Sequence, residues 1–199
     1  MYRLTPGIGL VLASASPRRR EMLSNLGLAF RLAPARIDEN LLPGEDAAQA
    51  AQRLATAKAE AVLTGPYDTV LAADTLVVLD RKIMGKPRDA AEATQMLREL
   101  SGAQHEVITG YCLMNQSGRT VGLGRSLVTF RNLSEAEIAA YVATGEPLDK
   151  AGAYAVQGLG AALVKEVSGS YTNVVGLPLA AVIKLLLEQG LIQPQGDGA

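Results

Sequence analysis

The sequence is poor in the residues that form disulfides and histidine-rich metal sites. It has a single cysteine, Cys112, and a single histidine, His105, among 199 residues. One cysteine cannot form an internal disulfide, and this fits a protein of the reducing cytoplasm, where we expect the chain to be. One histidine excludes a metal site built from several histidines. We therefore expect His105 to be structural, and Cys112, which lies in an apolar strand pattern, to be structural as well.

A large excess of charge and a long apolar run are also missing. The formal net charge is −1, from 19 Lys and Arg against 20 Asp and Glu. A nucleic-acid-binding domain normally has a basic face, so this balance argues against a nucleic-acid partner. The most apolar helical stretch, residues 178–192, contains Lys184, Glu188 and Gln189. It is too short and too charged to span a bilayer, and the first seven residues lack a signal peptide's apolar segment.

The two common glycine-rich phosphate motifs are absent. No G-x-x-x-x-G-K-[ST] occurs, and no G-x-G-x-x-G follows a strand pattern. Instead the apolar run 8–13 leads directly into SASPRRR at residues 14–20. Ser16 suits a helix N-cap and Pro17 the first helical position. Open N–H groups, the helix dipole and arginines predict a site for a phosphate-bearing anion, although a capped surface helix with solvated arginines would look the same.

Apolar runs and helical patterns alternate along the chain. Strands are predicted at residues 8–13, 30–34, 69–73, 76–79, 106–114, 121–130 and 161–167. Helices are predicted at residues 17–26, 46–63, 89–100, 134–144 and 179–189, with capping boxes opening at Asp89 and Ser134. The turn at residues 115–118 looks like a hairpin. Interleaved strands and helices with one antiparallel hairpin predict a mixed α/β sheet, followed by a disordered tail at 193–199.

Asp74 brings a charge into an apolar region. A carboxylate at the end of a buried strand is costly unless it is paired, bound to a metal or catalytic. Asp74 is therefore either a turn aspartate between strands 69–73 and 76–79, or a general base or metal ligand. Because an unperturbed aspartate is a weak base at neutral pH, a catalytic role requires partial desolvation or a metal that acidifies the attacking water.

Four further polar residues have both a structural and a functional interpretation. Lys58 lies in the apolar stripe of its helix, where a lysine either snorkels to the surface or enters a cleft that could bind phosphate. Lys86 is presented by the tight loop MGKP, and Glu39 lies in a polar loop. Gln157 lies between small residues and a glycine, and its amide can donate to and accept from a base edge.

Together these segments resemble the Maf family of nucleoside triphosphate pyrophosphatases over about residues 8–190. The similar motifs occur in order: SASPRR (14–19), IDE (37–39), KA (58–59), AADT (72–75), GKP (85–87), LSG (100–102) with His105, and GLPL (176–179). DKAGAY (149–154) and GSY (169–171) resemble the dTTP/UTP branch of the family. Met84 stands where leucine is more usual, which is a swap of similar volume.

The resemblance implies a fold and a reaction. The implied fold is inosine-triphosphatase-like α/β: one domain over 1–192, with a long mixed sheet flanked by helices and a cleft between two lobes. The implied reaction is hydrolysis of dTTP and UTP, or of modified pyrimidine nucleotides, between the α and β phosphates to the monophosphate and pyrophosphate. A divalent cation, Mg²⁺ or Mn²⁺, is the implied cofactor, and a homodimer is the implied assembly.

The resemblance also assigns roles to residues. Asp74 would be the proton acceptor, and Glu39 and Asp74 would hold the metal. The substrate-binding residues would be Ser16, Arg18, Arg19, Lys58, Thr75, Lys86 and Gln157, of which Arg18, Thr75 and Gln157 would set specificity.

Two other functions stay open at this point. One is hydrolysis of 7-methyl-GTP, by another branch of the same family. The other is nucleotide sensing without turnover, in a regulator of cell division, since the family's name comes from an association with septum formation. The set Asp74, Glu39, Lys58 and Lys86 favours turnover, because a sensor would not need a base.

Overall fold

Alternating strands and helices form a mixed α/β structure in the computed structural model, which describes residues 1–63, 65 and 68–196. The strands are β1 (Tyr2–Leu4), β2 (Gly9–Leu12), β3 (Arg31–Leu32), β4 (Asp68–Leu79), β5 (Lys82–Met84), β6 (Gln104–Asn115), β7 (Gly118–Phe130), β8 (Val164–Gly169) and β9 (Ile192–Pro194). The α-helices are α1 (Pro17–Asn25), α2 (Ala47–Glu60), α3 (Ala90–Leu100), α4 (Glu135–Ala143), α5 (Tyr171–Val175) and α6 (Leu179–Glu188). Short 3₁₀ helices cover Glu146–Asp149, Ala151–Ala153 and Gly158–Leu163.

The larger sheet is mixed, as the sequence predicts. Its seven strands, within the described residues, have the order β3-β2-β4-β6-β7-β8, and β5 pairs with β4. Strand β2 is parallel to both β3 and β4, whereas β5 is antiparallel to β4 and β8 to β7. Two residues join β6 to β7, as only an antiparallel hairpin allows, and Asn115 Oδ1 accepts a hydrogen bond from the Ser117 N–H at 2.9 Å.

Contact density divides the chain into two units. The first comprises the described residues of Met1–Asp74, Thr109–Gly124 and Gly176–Ala199, and the second comprises Thr75–Ile108 and Arg125–Val175. Strands β4, β6 and β7 each contribute residues to both units. The sequence-based expectation of one domain over 1–192 therefore stays a prediction.

Helices flank the sheet on both faces in the first unit. Because side chains alternate along a strand, β2 and β4 each supply residues to two clusters. One cluster contains Leu10, Leu12, Leu71 and Ala73 together with Leu23 of α1 and Val182 and Leu186 of α6. The other contains Val11, Ala13, Val70 and Ala72 together with Ala55 and Ala59 of α2. Helix α2 thus covers one face, and α1 and α6 cover the other.

Side-chain caps fix the starts of the longer helices. Asp46 and Gln49 form a reciprocal capping box at α2, and Ser134 and Glu137 form the predicted one at α4. The box predicted at Asp89 is only half formed. Asp89 accepts from the Glu92 N–H at 2.8 Å, but the Glu92 carboxylate accepts from the N–H of Arg88, one residue before the cap.

Strand β4 runs without a break from Asp68 to Leu79. The prediction of two strands, 69–73 and 76–79, is therefore wrong at the residues between them, and so is the alternative that Asp74 is a turn residue. Asp74 is only 8% exposed and lies in the middle of this strand. A buried charge breaks a strand pattern in the sequence, but it need not break the strand when it finds a partner.

The chain ends differ from expectation. Strand β9 pairs antiparallel with β1, in a separate two-stranded sheet, so Gln193 and Pro194 are part of a strand instead of the predicted disordered tail. Residues 197–199 of that tail lie outside the described residues. The strand predicted at 161–167 is β8, which begins at Val164 after a 3₁₀ helix. No helix in the described residues is long and apolar enough to span a membrane.

An aromatic cluster lies in the core of the second unit. The rings of His105, Phe130 and Tyr154 contact one another edge to face, with centroids 4.8–5.3 Å apart. His105 Nε2 lies 2.8 Å from the Tyr154 hydroxyl, and its Nδ1 has no hydrogen-bond partner among the described residues. Burial lowers the pKa of His105 from 6.5 to about 4, so the folded protein holds this imidazole neutral.

The stability of the protein is expected to fall as the pH drops through the range 6.5 to 4. In that range His105 is protonated in the unfolded chain but stays neutral in the folded protein. Protonation therefore favours the unfolded chain as the pH falls, and this loss of stability is absent above pH 6.5. The complete loss below pH 4 corresponds to about 3 kcal/mol. The check is the free energy of unfolding in urea from pH 7 to pH 5, for the wild type and for His105→Gln, whose pH dependence should be shallower. Identical slopes for the two proteins would contradict the assignment.

Candidate active site

The turn between β2 and α1 forms as the sequence predicts. Ser16 is the N-cap of α1, its hydroxyl accepts from the Arg19 N–H at 3.4 Å, and Pro17 occupies the first turn. No acidic side chain lies in that turn to neutralise the positive end of the helix dipole. Ser14, which is buried, accepts from the Ser16 N–H at 3.1 Å and thereby shapes the turn. The helix start is consequently suited to an anion.

Arg19 is held inward by the same turn. Its Nε donates to the Gly176 carbonyl at 2.7 Å and its Nη1 donates to Ser14 Oγ at 3.2 Å. Burial lowers the pKa of Arg19, and the negative fields of Asp74 and Glu39 act in the opposite direction. The guanidinium therefore lies in the electrostatic environment of both carboxylates. Arg18, half-buried beside it, adds a second positive charge to the same environment.

Lys58 joins the two predicted metal-ligating carboxylates. Its Nζ lies 2.5 Å from Asp74 Oδ1 and 2.6 Å from Glu39 Oε1. The side chains of Lys58 and Asp74 are 10% and 11% exposed, whereas that of Glu39 is 46% exposed. A buried ion pair thus opens toward solvent on the side of Glu39. The sequence left Lys58 either snorkelling to the surface or entering a cleft, and the structure turns it to Asp74.

Local structure explains how Lys58 reaches Asp74. Ala55 and Ala59 of α2 pack against Ala72 of β4 in one cluster. Lys58 lies on α2 between these alanines, and Asp74 lies two residues after Ala72, on the same face of the strand. Small side chains let the helix lie close to the sheet, so the lysine and the carboxylate meet without leaving regular structure.

The loop that carries Glu39 is tied to α2 by residues to which sequence analysis assigned no role. Arg53 of α2 donates from Nη2 to the Asn40 carbonyl at 3.1 Å and from Nε to Glu45 Oε1 at 2.6 Å. Helix α2 therefore supplies Lys58 and also anchors the residue that follows Glu39. Glu45 precedes the helix, so no helical spacing in the sequence could have revealed this pair. Ser14 could have been found, since it opens the SASPRR motif.

The donor set of this cluster fits a hard divalent cation that is shared with a phosphate. Mg²⁺ usually takes one or two carboxylates from the protein and completes its shell with water and substrate oxygens. Glu39 and Asp74 supply two such carboxylates, which already share one cationic partner in Lys58. Within the described ranges, no group of three or more His, Cys, Asp or Glu side chains could hold a metal. Two carboxylates are within the number that Mg²⁺ usually takes from a protein, so the donor set fits this ion.

The other predicted substrate-binding residues belong to the second unit. Thr75 follows Asp74 in β4, so strand alternation directs its side chain to the opposite face of the sheet. Lys86 is exposed in the loop after β5, and the Gly152 N–H donates to the Gly85 carbonyl at 3.0 Å to hold that loop. Gln157 is half-buried and is the N-cap residue of the 3₁₀ helix Gly158–Leu163. Their roles in binding stay predictions.

Comparison with known proteins places this cluster in a family. The family model described as Maf-like protein matches residues 9–189, a range that includes every candidate site residue. This chain belongs to the Maf family. Three Maf motifs, at residues 37–39, 58–59 and 72–75, supply Glu39, Lys58 and Asp74, which are joined through Lys58 Nζ. The motif at 14–19 supplies Arg19, on which the charges of Asp74 and Glu39 act.

Two curated relatives of this Maf protein are named dTTP/UTP pyrophosphatase. A dTTP/UTP pyrophosphatase of Anaeromyxobacter dehalogenans (strain 2CP-1) is 55% identical over 189 residues, which cover 93% of this chain and 96% of the relative. A dTTP/UTP pyrophosphatase of Moorella thermoacetica is 53% identical over 180 residues, covering 89% of this chain and 93% of the relative. The family and the branch that the sequence motifs indicated are thus those of its relatives.

A solved structure supports the fold of this Maf protein. A HAM1 protein from Coxiella burnetii aligns with a TM-score of 0.50, covering 91% of this chain and 99% of the other. The two sequences are 18% identical, so the likeness concerns the fold alone.

Proposed function

We propose that this Maf protein hydrolyses dTTP and UTP to the nucleoside monophosphate and pyrophosphate. One observation carries the proposal: the buried carboxylate of Asp74 is bonded to Lys58, which also binds Glu39. This arrangement combines a base with the charges that a phosphate site needs. The relatives named dTTP/UTP pyrophosphatase support the substrate class, and this favours that branch over 7-methyl-GTP hydrolysis.

In the proposed reaction, Asp74 accepts a proton from the water that attacks the α-phosphorus. The bond between that phosphorus and the bridging oxygen breaks, and pyrophosphate leaves with the bond's electron pair. Lys58 orients the Asp74 carboxylate by donating a hydrogen bond to its Oδ1. Arg19 and the start of α1 are positively charged groups that are already in place, so they can balance charge that develops on the phosphate oxygens.

Glu39 and Asp74 are the residues that would hold Mg²⁺ or Mn²⁺. When bound, such an ion acidifies water and neutralises phosphoryl oxygens. Lys58 Nζ contacts both carboxylates and neutralises part of their combined charge, so the pair stays close together without relying on the ion alone.

We assign Thr75, Lys86 and Gln157 to substrate contacts, with Gln157 reading the pyrimidine edge. An amide both donates and accepts, so it can distinguish bases by their edge groups. We also propose that residues 1–192 act as one catalytic domain and that the protein is a homodimer, which sedimentation equilibrium would test.

A triphosphate panel with and without Mg²⁺ or Mn²⁺ tests the proposal. With metal, we expect pyrophosphate release from UTP and dTTP to exceed release from CTP, GTP and 7-methyl-GTP by at least about tenfold in kcat/KM. Chelation of the metal should abolish release. Equal rates on the common nucleotides would remove Gln157 from base reading. Binding of UTP without release from any triphosphate would instead indicate a sensor.

A further inference from the structure

The segment that carries Gln157 is held by a residue with no assigned role. Gln157 is the N-cap residue of the 3₁₀ helix Gly158–Leu163, yet its side chain makes no capping hydrogen bond. The Glu146 carboxylate does this instead. Its Oε2 accepts from the Leu159 N–H at 3.1 Å, and its Oε1 accepts from the Gly160 N–H at 2.9 Å. The Gln157 amide is therefore left out of the cap of its own helix.

Tyr141 anchors the backbone on the N-terminal side of Gln157. Its hydroxyl donates to Glu146 Oε1 at 2.9 Å and accepts from the Ala155 N–H at 3.2 Å. The backbone is thus fixed two residues before Gln157 and again two and three residues after it. Tyr141 is 5% exposed, so its hydroxyl is a rigid anchor.

Two glycines make the arrangement sterically possible. Gly158 has φ +70°, and a Cβ there would lie 2.7 Å from Glu146 Oε2. A Cβ at Gly160 would lie 2.5 Å from the Tyr141 hydroxyl and 2.3 Å from the Ala155 carbonyl. The backbone therefore approaches the carboxylate and the phenol more closely than any other residue would allow.

The charge of Glu146 is maintained by the same contacts. Burial opposes ionisation, but hydrogen bonds from Gly160, Leu159 and Tyr141, together with the charge of Lys150, hold the pKa of Glu146 below its usual value. Lys150 also donates from Nζ to the Glu146 carbonyl at 2.8 Å. The carboxylate is consequently ionised throughout the neutral range and bonds strongly to the two N–H groups.

We infer that Glu146, together with Tyr141, is a positioning residue that sets base discrimination by fixing the turn on which Gln157 is presented. The inference rests on the proposed function, in which Gln157 reads the pyrimidine edge. Glu146 itself need not touch the nucleotide. A base-reading amide discriminates only when its donor and acceptor are fixed in direction, and Glu146 fixes the backbone from which that amide projects.

The test compares Glu146→Gln with the wild type on UTP and CTP. The amide cannot accept at both positions, so at least one N–H of the turn loses its partner. We expect the ratio of kcat/KM for UTP over CTP to fall about tenfold, through a higher KM for UTP, with kcat changed less than about threefold. Amide hydrogen exchange at Leu159 and Gly160 should accelerate. If Glu146→Gln does not fold, Tyr141→Phe removes the hydroxyl anchor alone and should lower the same ratio.

Glu137→Gln is the matched control. Glu137 caps α4 in the same unit, where its carboxylate accepts from the Ser134 N–H at 2.9 Å. The same chemical change there should lower thermal stability and leave the UTP to CTP ratio unchanged. In a Gln157→Ala background, Glu146→Gln should reduce the ratio no further, because the group that it positions is gone.

The possible outcomes distinguish a failure of the proposed function from a failure of the role proposed for Glu146. A wild type that releases no pyrophosphate from any triphosphate would overturn the proposed function. A wild type that prefers UTP, with folded Glu146→Gln and Tyr141→Phe variants that keep the wild-type ratio, would overturn the role of Glu146 and leave the proposed function standing. An equal drop in the ratio for Glu137→Gln would also overturn it, since general loosening would then account for the effect.

Discussion

Asp74→Asn is expected to fold, to keep its affinity for UTP and to lose at least about a hundredfold in turnover number. Asparagine has the shape of aspartate, and its carbonyl oxygen can still accept from Lys58, so the interior of the first unit should stay packed. It cannot accept the proton of the attacking water. A positioned base contributes about 10²–10⁴ in rate, and this sets the size of the expected loss.

The measurement is pyrophosphate release from UTP under saturating conditions, with UTP affinity from calorimetry. Asp68→Asn is the matched control, because Asp68 lies in the same strand and pairs at 2.9 Å with Arg31, whose side chain is 54% exposed. Its turnover should stay within about twofold of the wild type, since an exposed ion pair contributes little. Near-normal turnover of Asp74→Asn would remove Asp74 from the role of base.

Lys58→Met is expected to lower the free energy of unfolding by about 3 kcal/mol. Methionine matches the length of the lysine stem but supplies no positive charge. Asp74 is then buried without its ion-pair partner, and the more distant charge of Arg19 acts on it. Removing one partner of a buried pair costs more than removing both, because the remaining charge stays desolvated. The double variant Lys58→Met/Asp74→Asn should therefore be more stable than the sum of the single losses predicts, by at least about 1 kcal/mol.

Urea unfolding of the four proteins in this cycle gives the coupling energy. Lys82→Met is the control, since Lys82 pairs with Glu99 at 2.7 Å but its side chain is 62% exposed. Its loss should be below about 1 kcal/mol. A Lys58→Met protein no less stable than Lys82→Met would show that the pair with Asp74 is solvated and not the buried interaction described above.

Much of the fold follows from local patterns in the sequence. The strand, the SASPRR turn and the first helix occur within one or two residues of their predicted bounds, because Ser16 and Pro17 act within a single helical turn. The capping box at Ser134 is equally local. Prediction failed where a residue's partner is distant. The charge of Asp74 was interpreted as a break between two strands, because no neighbouring residue in the sequence indicates that a lysine 16 residues earlier would pair with it.

In the candidate site, too, local motifs could be predicted from the sequence, whereas contacts between distant residues could not. The motifs identified Glu39, Lys58 and Asp74, and the structure brings these three side chains together. Helical spacing in the sequence could not decide whether Lys58 turns to the surface or inward. Nor could it reveal the hydrogen bonds of Glu146 to Leu159 and Gly160, because sequence separations of 13 and 14 correspond to no local contact within a helix or a strand.

By itself, the sequence determined the order of the main strands and helices, the turn and cap at SASPRR, the capping box at Ser134, the family, and a set of candidate site residues. These depend on interactions within a few residues of one another, or on motifs that are read directly. Only the tertiary structure decided that β4 continues through Asp74, that Lys58 joins two carboxylates, that β9 pairs with β1, and that Glu146 holds the Gln157 turn. Each of these depends on which distant group satisfies a buried charge or an open backbone N–H, and that is settled only when the chain packs.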